Sequence, residues 1–148
     1  MIEEDTNKPE ITLATLKFTY ADWDSILREV EAERQAKKLR RSNPYVLDLI
    51  RVLRPSRSGM SRGLVLHFVR KNRQRLGLPI PRTFDDTVQQ SCERFCIDSD
   101  VFKKRGAPES EALFCWPHGK GKGHWAIHAA NADAWLADFL ATRSRTKL

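Results

Sequence analysis

Residues Thr83 to Ile127, TFDDTVQQSCERFCIDSDVFKKRGAPESEALFCWPHGKGKGHWAI, carry the pattern that decides the fold. Phe84, Val88, Cys92, Phe95 and Cys96 recur at spacings of three and four, which puts them on one face of a helix. That helix is predicted over Phe84 to Cys96, with Thr83 as its cap. Its outward face is then Asp85, Asp86, Gln89, Gln90, Glu93 and Arg94. After it the period changes. Val101 and Phe102 lead into a Lys/Gly/Pro/Glu connection, and two short apolar runs follow, Ala112–Trp116 and His124–His128. Between them lies the glycine-rich Pro117-His118-Gly119-Lys120-Gly121-Lys122-Gly123. Apolar runs on either side of such a turn predict a β-hairpin.

Upstream, Ser61 can cap a helix from Arg62 to Leu76, with Leu64, Val65, Phe68, Val69 and Leu76 inward. His67 sits among these and reads as structural. Gly77, Pro79 and Pro81 stop this helix. Arg54 to Gly59 is a turn. Pro44 opens an earlier helix whose buried face is Tyr45, Val46, Leu49, Ile50 and Leu53. Further back, a helix is predicted over Tyr20 to Arg40. Thr19 and Asp22 have the spacing of a capping box, and Trp23, Ile26, Leu27 and Val30 form one stripe. The stripe thins beyond Val30, so the second half of this helix is expected to project from the body. Downstream, Asn131 is expected to cap a helix from Ala132 to about Thr142, with Trp135, Leu136, Phe139 and Leu140 inward. The resulting division is an acidic mobile arm over 1–18, an N-terminal helical region over 19–43, a domain over 44–142 and a basic tail over 143–148.

Composition narrows the function. The chain has 148 residues, 41% of them hydrophobic, enough for a core without disulfides or metals. The start is acidic, no long apolar run follows, and the three cysteines have no disulfide spacing. A chain in a reducing compartment, cytoplasmic and away from membranes, is expected. The net charge of +7 is unevenly spread. Residues 1–33 hold nine acids and three bases, net −6, whereas residues 34–82 hold fourteen bases and one acid, net +13. Residues 83–115 come to −3 and residues 116–148 to +3. A basic block of this density favours a polyanion, with nucleic acid ahead of an acidic membrane; the alternative is an ordinary solvated exterior.

Three helices and then a hairpin is the order of a winged helix-turn-helix. The whole chain is therefore expected to be mainly α with a small β-hairpin, flanked by the N-terminal amphipathic helix and a C-terminal helix. Over Pro44 to Leu136 the chain resembles the winged-helix modules attached to bacterial modification-dependent and Mrr-like restriction systems. In those a serine and an aromatic follow the third helix, and a hairpin of the form LF…G.W.l makes the wing. The matching residues are Ser99, Phe102, Leu113, Phe114, Gly123, Trp125 and Ile127. The acids do not form a strand-borne pair followed by Glu-x-Lys, so cleavage is not carried over, and no catalytic residues are expected.

The resemblance implies binding of double-stranded DNA, sequence- or modification-dependent, by a nucleoid-associated transcriptional regulator. The third helix would supply Thr87, Gln89, Gln90 and Arg94, since Gln suits the adenine edge and Arg the guanine edge. The second helix would supply Arg62, Arg70, Lys71 and Arg73, with Arg75 nearby. Lys103 and Lys104 would follow the third helix, and the wing would add Lys120, Lys122 and His124. Asp85 and Asp86 oppose phosphate at the start of the reading helix. They favour the rival expectation, a protein-interaction module of a restriction, defence or regulatory complex. The Tyr20–Arg40 helix is expected either to pair two copies or to add basic contacts.

Other chemistry fits less well. Cys92, Cys96, Cys115, His118, His124 and His128 make a pool of zinc-type ligands, but their spacings match no compact zinc motif. The cysteines lie on or beside apolar faces, where a free thiol serves as a small hydrophobe. The Gly-Lys-Gly-Lys-Gly run lies between strands and lacks the hydroxyl residue and helix of a phosphate-binding P-loop. No metal and no cofactor are expected. Trp23, Trp116, Trp125 and Trp135 read as core anchors, or one of them lines a pocket for a base or a partner.

Overall fold

The computed structural model describes residues 18–37 and 45–147. The expected mobile arm, apart from Phe18, lies outside the described residues, as does Pro44. The elements in order are α1 (Tyr20–Lys37), α2 (Val46–Leu53), β1 (Met60–Ser61), α3 (Arg62–Leu76), α4 (Phe84–Arg94), α5 (Asp100–Arg105), β2 (Phe114–Cys115), β3 (His124–Ile127) and α6 (Ala129–Lys147). The chain is mainly α with one small antiparallel sheet, in the strand order β1-β3-β2.

The sheet is larger than the expected hairpin by one strand. Met60 pairs with Trp125 and Ser61 with His124, while Phe114 pairs with Ile127 and Cys115 with Ala126. β1 escaped notice because it is two residues long and merges directly into α3. Gly59 makes this junction possible. Its φ is +86°, and a Cβ there would lie 2.3 Å from the carbonyl oxygen of Trp125. Only glycine tolerates both the left-handed backbone and so close a neighbour.

Local chemistry accounts for several helix ends. Thr19 N–H donates to Asp22 Oδ2 at 2.7 Å and Asp22 N–H donates to Thr19 Oγ1 at 3.1 Å, a reciprocal capping box. Ser61 Oγ accepts from Leu64 N–H, and Gly77 ends α3 at φ +71°. Thr83 precedes α4, yet its side chain makes no cap hydrogen bond. α4 stops at Arg94, two residues before the expected end, because the next residues turn to the sheet. Leu113 and Phe114 N–H donate to Phe95 O, and Ile97 N–H donates to Phe114 O. Ser99 then caps the unexpected α5. Its Oγ accepts from Phe102 N–H at 3.0 Å and its hydroxyl donates to Glu93 O at 2.5 Å.

The core joins every layer. Leu49, Ile50 and Leu53 of α2, Val65 and Val69 of α3, Phe84 and Val88 of α4, Phe114 of β2 and Leu136 of α6 are all fully buried. Burial of such side chains is worth about 1.5–3 kcal/mol each. α3 is rotated relative to expectation. Leu66 and Arg73 are inside, whereas Leu64 and Phe68 are 48% and 43% exposed. His67 is exposed as well, with its ring edge-on to Phe68.

α1 is part of the body and does not project from it. Trp23, Ile26 and Leu27 are buried in the common core, so the stripe expected to pair two copies is already covered within the chain. Its second half is fastened by charge. Glu31 is buried against Arg73, and Arg143 of α6 reaches Glu29 and Glu33 at 3.0 and 2.7 Å. Arg143 therefore belongs to a helix and not to a loose basic tail. α6 also starts earlier than expected. Asn131 lies within it and is not its cap; its amide donates to Glu109 O and Ala112 O at 2.9 Å each. Among the described residues no helix is long and apolar enough to cross a membrane.

Candidate nucleic-acid interface

α4, α5 and the β2–β3 turn meet along one side of the molecule. The N–H of Arg62, at the start of α3, donates to Gly123 O at 2.8 Å and ties the turn to the helix layer. Gly119, Gly121 and Gly123 all have positive φ, and no atom crowds a Cβ built on them, so the turn stands clear of the body. Lys120 and Lys122 are exposed on it. Lys120 forms an ion pair with Asp100 at the start of α5, and that contact holds the Asp100 carboxyl below its usual range. His124 Nε2 lies 3.0 Å from Ser58 O, and its ring centroid is 4.4 Å from that of His118.

α4 exposes Asp85, Asp86, Gln90 and Arg94, with Thr87, Gln89 and Glu93 half-buried. Arg70 of α3 holds Asp85 at 2.9 Å and lies over the Phe84 ring. The pairing removes one repulsive carboxylate from the helix start and occupies one of the guanidiniums expected to meet phosphate. Arg62 Nε donates to Gln89 Oε1 at 2.5 Å, and Gln89 Nε2 donates to Glu93 Oε2 at 3.0 Å. This chain borders a cleft of about 390 Å³ between α4 and the turn, whose other walls include Trp116, Trp125 and Lys120. Glu93 was expected only on the outward face of the helix, and Trp116 as a core anchor or a pocket wall. Their place in the cleft depends on an approach between α4 and the hairpin that no local spacing encodes.

Of the expected contact residues, Arg62, Gln89, Lys120 and His124 are brought to the base of the turn or its cleft. Gln90 and Arg94 are exposed on α4, Lys103 and Lys104 on α5, and Lys71 on α3. Arg73 is a correction. Its side chain is 3% exposed and binds Glu31 at 2.9 Å and Asp48 at 3.3 Å, so it is a core ion with no access to a partner. Arg75 likewise holds Asp24 through two hydrogen bonds of 3.0 Å, and Arg51 holds it from α2. The basic block of residues 34–82 is therefore not one free face; four of its arginines, Arg34, Arg51, Arg73 and Arg75, pair with acids of α1.

Burial pushes Cys92 well above its ordinary value, Cys96 to about 12 and Cys115 upward. Among the described residues no group of three or more His, Cys, Asp or Glu side chains could hold a metal ion. Comparison of the chain with family models, curated proteins and solved structures gives no match.

Proposed function

We propose that the chain is a winged helix-turn-helix that binds double-stranded DNA, with α4 as the reading helix and the β2–β3 turn as the wing. One observation carries this reading. The order α2-β1-α3-α4-α5-β2-β3, closed by the strand order β1-β3-β2, sets a lysine-bearing glycine turn beside an exposed helix face. Gln90 and Arg94 would contact base edges, and Lys103, Lys104, Lys120 and Lys122 would contact phosphates. Arg62 and Gln89 would hold the geometry at the base of the wing. In this reading the protein is a nucleoid-associated regulator without catalysis.

Salt titration of duplex binding tests it. With about four phosphate contacts, one for each of these lysines, affinity should fall roughly 150-fold between about 50 and 200 mM salt. The K120A/K122A pair should reduce the slope of log K against log salt by about 1.8, from two lost contacts. No affinity for any duplex at low salt would end the proposal.

A second reading, a protein-interaction module, is favoured by Asp85 and Asp86 and by the exposed Tyr20, Leu64 and Phe68. A protein partner that stays bound when Lys120, Lys122 and Arg94 are changed, but is lost on altering α1, would support it.

A further inference from the structure

The cleft between α4 and the wing has features that phosphate contact does not use. Its walls include two indole rings, Trp116 and Trp125, and a carboxylate. A carboxylate on a surface meant only for phosphate is a liability, because it repels the ligand. Glu93 is nevertheless held there. Gln89 donates to its Oε2, and Arg62 in turn donates to Gln89. No protein donor reaches the second carboxylate oxygen among the described residues. Trp116 presents the opposite need: its indole Nε1 is buried with no acceptor. A buried N–H without a partner costs free energy, and native folds keep few of them. The residues that carry the open acceptor and the orphaned donor thus line the same cleft, with Arg62 and Lys120 beside them.

We propose that this cleft takes one nucleobase turned out of its stack, with Glu93 accepting from the base's amino group and the Trp116 indole turning to bring its Nε1 to a ring or carbonyl acceptor of the base. The inference rests on the nucleic-acid reading above and deepens it. A flat heteroaromatic ring suits indole walls, because every base has a face that stacks on an aromatic side chain. A carboxylate accepting from an amino group is the pairing used to read cytosine. The volume of about 390 Å³ lies at the small end of ligand pockets and leaves room for a sugar at the mouth. Arg62 and Lys120 lie where the attached phosphate would pass. The Lys120–Asp100 contact is exposed, so the ammonium can exchange that carboxylate for a phosphate.

Unstacking and unpairing must be offset by the cleft, so a base that is already unpaired should bind best. The full chain is titrated against four probes: a fully paired duplex, the same duplex with one bulged cytosine, the single strand, and cytidine monophosphate. The bulged duplex is expected to bind at least tenfold more tightly than the paired one. W116F removes the indole N–H and keeps a ring, and E93Q removes the charge. Each should bring that preference close to one while leaving affinity for the paired duplex within about twofold. Two variants on separate elements guard against loss of one to misfolding, and a melting curve checks each. Equal affinity of the native chain for bulged and paired duplexes, with salt-dependent duplex binding retained, would overturn the cleft assignment and leave the DNA reading standing. So would a bulge preference that survives in both folded variants. Absence of binding to all four probes would overturn both. A single strand or free nucleotide that binds as well as the bulged duplex, with the same loss in W116F and E93Q, supports the cleft and identifies a free base as its source.

Discussion

Arg73 is nearly sealed from water and carries two carboxylates, Glu31 from α1 and Asp48 from α2. Two acids share one cation, and they respond differently. Burial pushes the Asp48 carboxyl up to about 6 despite the guanidinium beside it. Burial also pushes Glu31 upward, but hydrogen bonds from Gln35 and Arg73 outweigh it and leave that carboxyl below its ordinary value. A raised carboxyl favours folding while protonated, so the Asp48 contribution is full below about pH 4 and is lost as pH rises through about 6. Glu31 acts in the reverse sense, and its contribution is lost as the solution is acidified below its unfolded value. Relative to Asp48→Asn, the native chain should therefore lose roughly 3 kcal/mol of stability between about pH 4 and pH 7. Urea denaturation of both proteins across that range measures it, and a flat difference would mean that Asp48 titrates normally in the fold. Removing the cation is worse. Arg73→Ala strands both acids and should cost about 3–5 kcal/mol at neutral pH. Gly59→Ala should also unfold much of the population, because the new methyl would meet Trp125 O in a left-handed backbone.

At the scale of elements, ends defined by their own chemistry were legible and ends defined by distant partners were not. α3 matches expectation at both termini because Ser61 and Gly77 supply cap and stop from within the local sequence. The close of α4 could not be read, since Phe95 gives up helical bonding to accept from Leu113 and Phe114. Asn131 looked like a cap, but its amide is taken by carbonyls some twenty residues earlier. The inward face of α3 was misjudged for another reason: hydropathy does not distinguish an arginine with two buried partners from one in water. α1 and α6 are joined near their C-terminal ends by Arg143, whose side chain is only 15% exposed. Arg143→Ala should cost about 1 kcal/mol and speed amide hydrogen exchange at Glu29 to Glu33 and in the last turns of α6 together. Exchange that rises in one helix alone would contradict a shared clasp.

For the molecule as a whole, the segregated charge of the sequence had two readings, a face for a polyanion or an ordinary solvated exterior, and the fold adds a third use, pairing inside the chain. Acids of the first 33 residues meet bases of the next 49: Asp24 with Arg51 and Arg75, Glu31 with Arg73. Thus a count of net charge along the chain overstates what is free to meet a ligand. The wing lysines and the outward face of α4 were legible because glycine spacing and helical period are local. The cleft between them was not, because it exists only once α3 and the hairpin are tied.

A division of labour between the two basic side chains follows from the way those ion pairs are distributed. Guanidiniums at 51, 54, 70, 73, 75 and 143 hold helices together, while the ammonium groups at 71, 103, 104, 120 and 122 face water. Amine-selective acylation should thus abolish duplex affinity and leave the circular dichroism spectrum and melting temperature close to native. Dicarbonyl reagents that attack arginine should reach exposed Arg94 first and loosen the fold only once the partly buried arginines react. If the proposed function holds, acetylation of the exposed lysines would weaken DNA binding while leaving the helix-joining ion pairs in place.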